Sequence, residues 1–259
     1  MRQDERVVFD DALRRARHAA YPPGEYVGQE SFMRAREIRS LAVRAGIGPG
    51  TCVLDLCCGV AGPGRLLTAE LGCTYLGVDN SASAVELARR RAGGLRCRFE
   101  VARVPPVPAG PFDVVLLLET LLAFADKDTL LRGIAAALPG GGRFAFTVEE
   151  GHPLTLGEQA AMPDADTVWL VPLPELLTSL QRAGLHVCWM AECSLSHRAT
   201  ADALTQAFLD DRAAISERLG ERAVDELVAA HRLWSAWLGS GRVRKFAVVA
   251  EKASGPDPD

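Results

Sequence analysis

Lysine is scarce in this chain. Lys127, Lys245 and Lys252 are the only three, and arginine makes up the rest of the 29 Lys and Arg residues. A GC-rich coding genome accounts for that bias without a functional reading. No basic tract is present either. The formal net charge is −4 and the isoelectric point about 5.8, which argues against the broad phosphate-binding surface of a nucleic-acid protein. The seven cysteines, Cys52, Cys57, Cys58, Cys73, Cys97, Cys188 and Cys193, are odd in number and form no C-x-x-C pair. That argues against a disulfide framework or zinc site and for reduced, buried thiols in a cytosolic protein. No apolar run approaches the roughly 18 residues of a membrane span. Met1–Arg6 opens no apolar signal region. A cytoplasmic location is expected, with no membrane and no nucleic acid as partner. No internal repeat is visible.

What is there is an ordinary globular composition, 48% hydrophobic and 24% charged over 259 residues. That length allows one large α/β domain with a modest insert. A charged helix is expected from Asp4 to Ala20, then a Pro22-Pro23-Gly24 break and a second helix from Glu30 to Ala45. From there short apolar runs alternate with helices. The strands are read at Cys52–Leu56, Thr74–Val78, Cys97–Val101, Phe112–Leu118 and Arg143–Val148. Helices are read at Ala82–Ala92 and Lys127–Leu138, the latter stopped by Pro139 and three glycines. Such alternation implies a parallel sheet covered on both faces. A helix at Pro174–Ala183 and a strand at Leu185–Ala191 follow. Ser196–Gly239 is then strongly helical and precedes a last strand, Val243–Val249. The division expected is an N-terminal helical segment (1–50), an α/β core (51–195), a helical insert (196–242), a last core strand (243–252) and a disordered tail (253–259).

The chemistry centres on Val53–Leu67. Its order is strand, glycine-rich turn (Gly59, Gly62, Gly64) and helix start. Small residues there let the backbone approach a ligand, and amides at the helix start can contact it. A glycine turn alone is shared with NAD- and FAD-binding domains. Its surroundings narrow it. Asp55 closes the first strand, where a carboxylate can orient a ligand's ammonium group. Asp79 ends the second, where an acid can accept both ribose hydroxyls. The other reading of Asp79 is a cap for the next helix, but Ser81 is the better cap.

These residues resemble the first two motifs of class I S-adenosylmethionine-dependent methyltransferases. Asp55-Leu56-Cys57-Cys58-Gly59 is similar to a variant of their cofactor loop, and Leu76-Gly77-Val78-Asp79 to their ribose-binding strand end. Pro111-Phe112-Asp113-Val114-Val115 and the Leu138-Pro139-Gly140-Gly141 turn continue the pattern. The resemblance covers about residues 30–195 and the last strand, and is nearest the UbiE-like small-molecule branch. It implies a Rossmann-like seven-stranded, mostly parallel sheet with an antiparallel last strand, N-terminal helices and a helical insert before that strand. It implies S-adenosylmethionine as cofactor, with Cys57 and Gly59 along its methionine portion, Asp79 on its ribose and Asn80 beside its adenine. Two departures stand out. Cys57 and Ala61 replace glycines common in the loop, which widens the turn. Arg103 stands where many relatives carry an Asp for the adenine amino group, and a cation cannot accept that hydrogen bond.

The acceptor belongs beyond the carboxyl ends of the strands. Glu119 follows the fourth strand, and Glu149, Glu150 and His152 follow the fifth. Glu119 and His152 are the candidates for catalysis, His152 as a proton acceptor and Glu119 also beside the cofactor. Tyr26 and Gln29, before the second helix, are candidates to close over the cofactor. His197 is a further candidate to enter the cleft. The helices from Ser196 to Gly239, with Phe208, His231, Trp234 and Trp237, are expected to cover a mostly apolar acceptor pocket. The expected function is methyl transfer to a nitrogen, oxygen or carbon of a small molecule, without a metal. The alternatives are a protein of this fold that binds the cofactor without methyl transfer, cyclase-type or non-catalytic, then a macromolecule methyltransferase, then an NAD-dependent dehydrogenase.

Overall fold

The structure, a computed structural model, describes residues 11–254. The start of the first expected helix and the end of the tail lie outside these. Helix α1 is Asp11–Ala20, and α2 is Ala35–Arg44. The strands are β1 (Cys52–Leu56), β2 (Thr74–Asp79), β3 (Cys97–Val101), β4 (Val114–Leu117), β5 (Arg143–Glu150), β6 (Leu185–Glu192) and β7 (Arg244–Lys252). Between them run α3 (Gly62–Leu71), α4 (Ala82–Ala92), α5 (Lys127–Ala137), α6 (Leu156–Ala161) and α7 (Leu173–Arg182). Helices α8 (Ser194–Asp210), α9 (Arg212–Leu219) and α10 (Glu221–Ser240) separate the last two strands.

The seven strands form one sheet in the order β3-β2-β1-β4-β5-β7-β6. Only β7 runs against the others: it pairs antiparallel with both β5 and β6. The central runs β1, β4 and β5 are almost wholly buried, which is why they read as continuous apolar stretches, whereas the edge strands β3 and β6 are largely exposed. One face of the sheet packs Leu54, Val115, Phe144 and Val248 against Leu130 and Ile134 of α5 and Leu180 of α7. The other packs Val53, Tyr75, Leu116 and Val249 against Ile38, Leu67 and Val85 of α2, α3 and α4.

Two departures from the expected elements have local causes. The second helix starts at Ala35 rather than Glu30, because Glu37 reaches back to accept the Arg34 N–H at 2.7 Å and fixes the helix start there. That leaves 30–34 as a loop along the cleft. Helix α6, not expected from the sequence, is opened by a capping box in which Thr155 and Glu158 bond each other's backbone amides. The insert is a layer of its own. Leu204, Phe208, Ile215, Val224 and Val228 pack against Leu13 and Ala16 of α1, a cluster separate from both sheet faces. Of the cysteines, all seven are free, and Cys58 and Cys73 are buried. Cys188 is exposed because it sits at the bulge in edge strand β6.

Candidate active site

The turn after β1 carries the first part of the site. Cys57, Gly59 and Ala61 all adopt positive φ, at 57°, 54° and 56°. At Cys57 and Ala61, where glycine would sit freely, the left-handed backbone costs about 1–2 kcal/mol per residue. The loop therefore keeps the glycine conformation and carries strain, rather than widening. Gly62 has no room for a side chain: a Cβ there would lie 2.5 Å from the Gly28 carbonyl carbon and 2.7 Å from the Val27 oxygen. The 27–28 backbone thus rests on the turn. Asp79 is fixed by two amides, Gly59 N–H at 2.8 Å and Ser81 N–H at 2.9 Å. Ser81 itself caps α4 through the Ala84 N–H.

A chamber of about 710 Å³ opens over this turn. Cys57, Gly59, Asp79, Asn80 and Arg103 line it, with Ala84, Ala102, Val104 and Phe124 supplying apolar surface. The set suits a nucleoside: a carboxylate for a diol, and small apolar groups for a flat base. The chamber continues into a neck of about 120 Å³ between Gly28, Gln29, Asp55, Gly62 and Glu119. Asp55 is buried there and accepts the Tyr75 hydroxyl. Burial pushes its carboxyl up to about 7, with Asp79 adding to the rise and the Tyr75 bond opposing it. An ammonium group in the neck would give Asp55 the counter-charge it lacks.

Past the neck lies a third chamber of about 260 Å³, lined by Arg17, Tyr21, Phe32, Leu122, Glu149, Leu204, Ala230, His231 and Trp234 among others. Glu30 borders all three spaces, and Glu119 borders the neck and the third. Burial raises Glu30 to about 7 against the opposing charge of Arg17, which donates to it at 3.0 Å.

Beneath the third chamber is a buried ionic cluster. Lys245, 1% exposed, lies 2.8 Å from Glu119 and also donates to Glu149. Burial works against its charge, but Glu119 and Glu149 outweigh it and hold the ammonium protonated. Burial likewise opposes ionisation of Glu119, and Lys245 and His197 override it. His197, wholly buried, stands 3.8 Å from Glu119 and 3.5 Å from Glu37. Glu119 has φ +60° and donates its N–H to Thr147.

Most of the residues singled out in the sequence converge here. Asp55, Cys57, Gly59, Asp79, Asn80, Gln29 and Glu119 all border the first chamber or the neck. Gln29 also staples its own segment, accepting from Val27 and donating to the Glu25 and Met33 carbonyls. Tyr26 stands apart from the three spaces and packs on Tyr21 and His18. His152 is a correction. Its side chain is exposed, it lines none of the three spaces, and its carbonyl is held by Arg242 at 3.0 Å. The chain turns outward at Gly151, so the position after β5 does not bring the imidazole to the cleft. Glu150 likewise faces away, onto Arg244. Phe208 and Trp237 are core, while His231 and Trp234 face the third chamber. Lys245, Glu37, Glu30 and Arg17 were not anticipated. Lys245 had a signal: it is a lysine inside an apolar strand run, and a buried charge must be paired.

A sheet with one reversed strand, a glycine turn after β1 and an acid at the end of β2 define the class I methyltransferase fold. Residues 53–142 match the sequence profile of a family described as a methyltransferase domain. Within those residues the chain is thus similar to methyltransferase domains. It is 29% identical over 147 residues to "Methyltransferase GfsG" of Streptomyces halstedii, covering 54% of this chain and 52% of that one. It is 33% identical over 103 residues to "Phosphoethanolamine N-methyltransferase 3" of Arabidopsis thaliana, covering 38% and 21%. The chain thus spans about half the length of the first relative and about a fifth of the second. In fold it is similar to the cyclopropane synthase MmaA2 of Mycobacterium tuberculosis, with a TM-score of 0.80 at 12% identity over 97% of this chain and 99% of that one.

Proposed function

We propose that this protein transfers a methyl group from S-adenosylmethionine to a nitrogen, oxygen or carbon of a small molecule. The observation that carries the reading is that three spaces adjoin through shared walls, with Glu30 bordering all of them. A nucleoside-sized chamber over the glycine turn leads through a carboxylate-lined neck to a smaller chamber under the helical insert. S-adenosylmethionine supplies an already activated methyl group on its sulfonium. The protein's work is therefore alignment and exclusion of water. Asp79 receives the ribose hydroxyls and Asn80 lies beside the adenine. Arg103 cannot accept from the adenine amino group, so a backbone carbonyl near Ala102 or Val104 does so. Cys57 and Gly59 line the methionine portion, with Asp55 for its ammonium group and Gln29 holding the 25–33 segment over it. Glu119 stands where neck and acceptor chamber meet. The insert closes the acceptor chamber with Leu204, Ala230, His231 and Trp234, and opens for product release. The small-molecule names of the curated relatives fit a chamber of about 260 Å³, and no helix among the described residues is long and apolar enough to cross a membrane. We place the protein in the cytoplasm.

Titration calorimetry with S-adenosylmethionine tests the cofactor half. Asp79→Ala is expected to weaken binding by about 1–3 kcal/mol, the value of hydrogen bonds to a charged group. Unchanged affinity overturns the assignment. Incorporation of label from methyl-labelled cofactor into a metabolite mixture tests the transfer itself.

A further inference from the structure

The acceptor chamber is asymmetric in its hydrogen-bonding capacity. Its cation among the described lining residues, Arg17, is paired with Glu30 at 3.0 Å. The Tyr21 hydroxyl is donated to the Ser31 carbonyl. Apart from the Ser31 hydroxyl and the Trp234 indole N–H, what remains on the walls is acceptors. Glu149 is 6% exposed, and while one of its oxygens takes Lys245, the other, Oε2, is buried with no partner. An orphaned carboxylate oxygen at the edge of a cavity is a group awaiting a donor. His231 adds a second acceptor. Its Nδ1 lies 2.7 Å from the Leu227 carbonyl. A carbonyl only accepts, so Nδ1 carries the hydrogen and Nε2 is left with its lone pair. Burial lowers the His231 pKa to about 4, with Arg17 adding to the fall and the Leu227 carbonyl opposing it, so the ring is neutral near pH 7. Charge points the same way. Three carboxylates, Glu119, Glu149 and Glu37, meet one lysine, Lys245, and the His197 ring between Glu119 and Glu37. The rest of the wall is apolar, from Phe32, Leu204 and Trp234.

We propose that the methyl acceptor is an apolar molecule that carries an N–H or O–H donor and no anionic group, and that this donor rests on Glu149 Oε2. The inference depends on the cleft being the methyltransferase site described above. An anionic acceptor would face Glu149 and Glu119, with the wall's cation Arg17 already engaged by Glu30. A donor would complete Glu149 Oε2, a buried oxygen without a partner.

The test is a binding comparison on one skeleton. The protein saturated with S-adenosylhomocysteine is titrated with cyclohexylmethylamine, cyclohexylmethanol and cyclohexanecarboxylate, and each titration is repeated without S-adenosylhomocysteine. The amine or the alcohol, or both, is expected to bind about tenfold or more tighter than the carboxylate, in line with hydrogen bonds to a charged group. Which of the two leads tells an amine acceptor from a hydroxylated one. Glu149→Gln removes the charge and is expected to narrow the margin over the carboxylate to about threefold or less; His231→Ala, away from the ion cluster, is expected to weaken both donors. A carboxylate that binds as tightly as either donor, or failure of both donors to bind, overturns the proposal whatever the variants do. Failure of S-adenosylhomocysteine to bind overturns instead the reading of the first chamber, and is seen separately in its own titration.

Discussion

On the cofactor side of the cleft, the groups facing the chamber are set by the main chain of one short stretch. Gly59 and Ser81 amides fix Asp79, three left-handed residues shape the turn, and the Gly28 backbone rests on Gly62. Around the third chamber the groups are held by buried ionisable side chains drawn from α2, the end of β4, β5, α8 and β7. The first arrangement depends chiefly on backbone shape. The second is held by charges that must balance, so it fails when one is removed. A constant ligand is met by a fixed backbone. A pocket for a particular acceptor is made by side chains, which can be exchanged without rebuilding the sheet.

The largest effect expected from this contrast is that of Lys245→Met. It leaves Glu119 and Glu149 buried without their cation, and breaking a buried pair in this way costs about 3–5 kcal/mol. Urea denaturation measures it, and a loss below about 1 kcal/mol would mean the cluster contributes little. On the other side of the cleft Gly62→Ala sets a methyl against backbone that cannot swing away. We expect a cost of about 1–3 kcal/mol from overpacking, with weaker S-adenosylhomocysteine binding as the 27–28 segment lifts. Thermal unfolding and calorimetry read the two consequences separately.

The two sides also differ in the sign of their pH dependence. Burial opposes ionisation of Glu37, but the His197 ring and the Ser196 hydroxyl bring its carboxyl down to about 2. Its folded pKa lies below the ordinary 4.5, so its contribution is present above pH 4.5 and is lost as pH falls toward 2. The size is on the order of 3 kcal/mol. Asp55 runs the other way: with its pKa raised from 3.8 to about 7, it subtracts stability as pH rises across that interval. Glu37→Gln should flatten the acid limb of a stability–pH curve, and Asp55→Asn should remove the decline between pH 4 and 7. Identical curves for the two variants would erase the distinction. Smallest of all is Arg39→Ala, which breaks the exposed pair with Glu70; we expect less than about 1 kcal/mol, which sets the baseline for the rest.

How far the sequence foretold the two sides follows from the same contrast. The strands β1 and β3 and the helix Ala82–Ala92 have the ends read from the sequence, because an apolar run between turn residues, or a serine cap, is a local signal. Asp55, Gly59 and Asp79 were legible for the same reason: they lie within about one strand–turn–helix unit and the strand after it. His152 was misplaced because a position after a strand says that a residue is near the sheet edge, but not which way the chain turns. His231, Trp234 and Trp237 had the spacing of a helical face, yet the face is divided between core and cavity.

By itself, then, the sequence determined the alternation of strands and helices, the parallel core of the sheet and the glycine turn after β1, since each follows from residues close together in the chain, while the reversed last strand followed from the family resemblance. Only the tertiary structure decided the acceptor chamber. The antiparallel register of β5 and β7 puts Glu149 opposite Lys245, and the packing of α8 on the N-terminal segment brings His197 to Glu37 and Phe32. No local periodicity encodes those meetings. They arise from burying apolar faces far apart in the chain, and the charges carried along must then find one another in the interior.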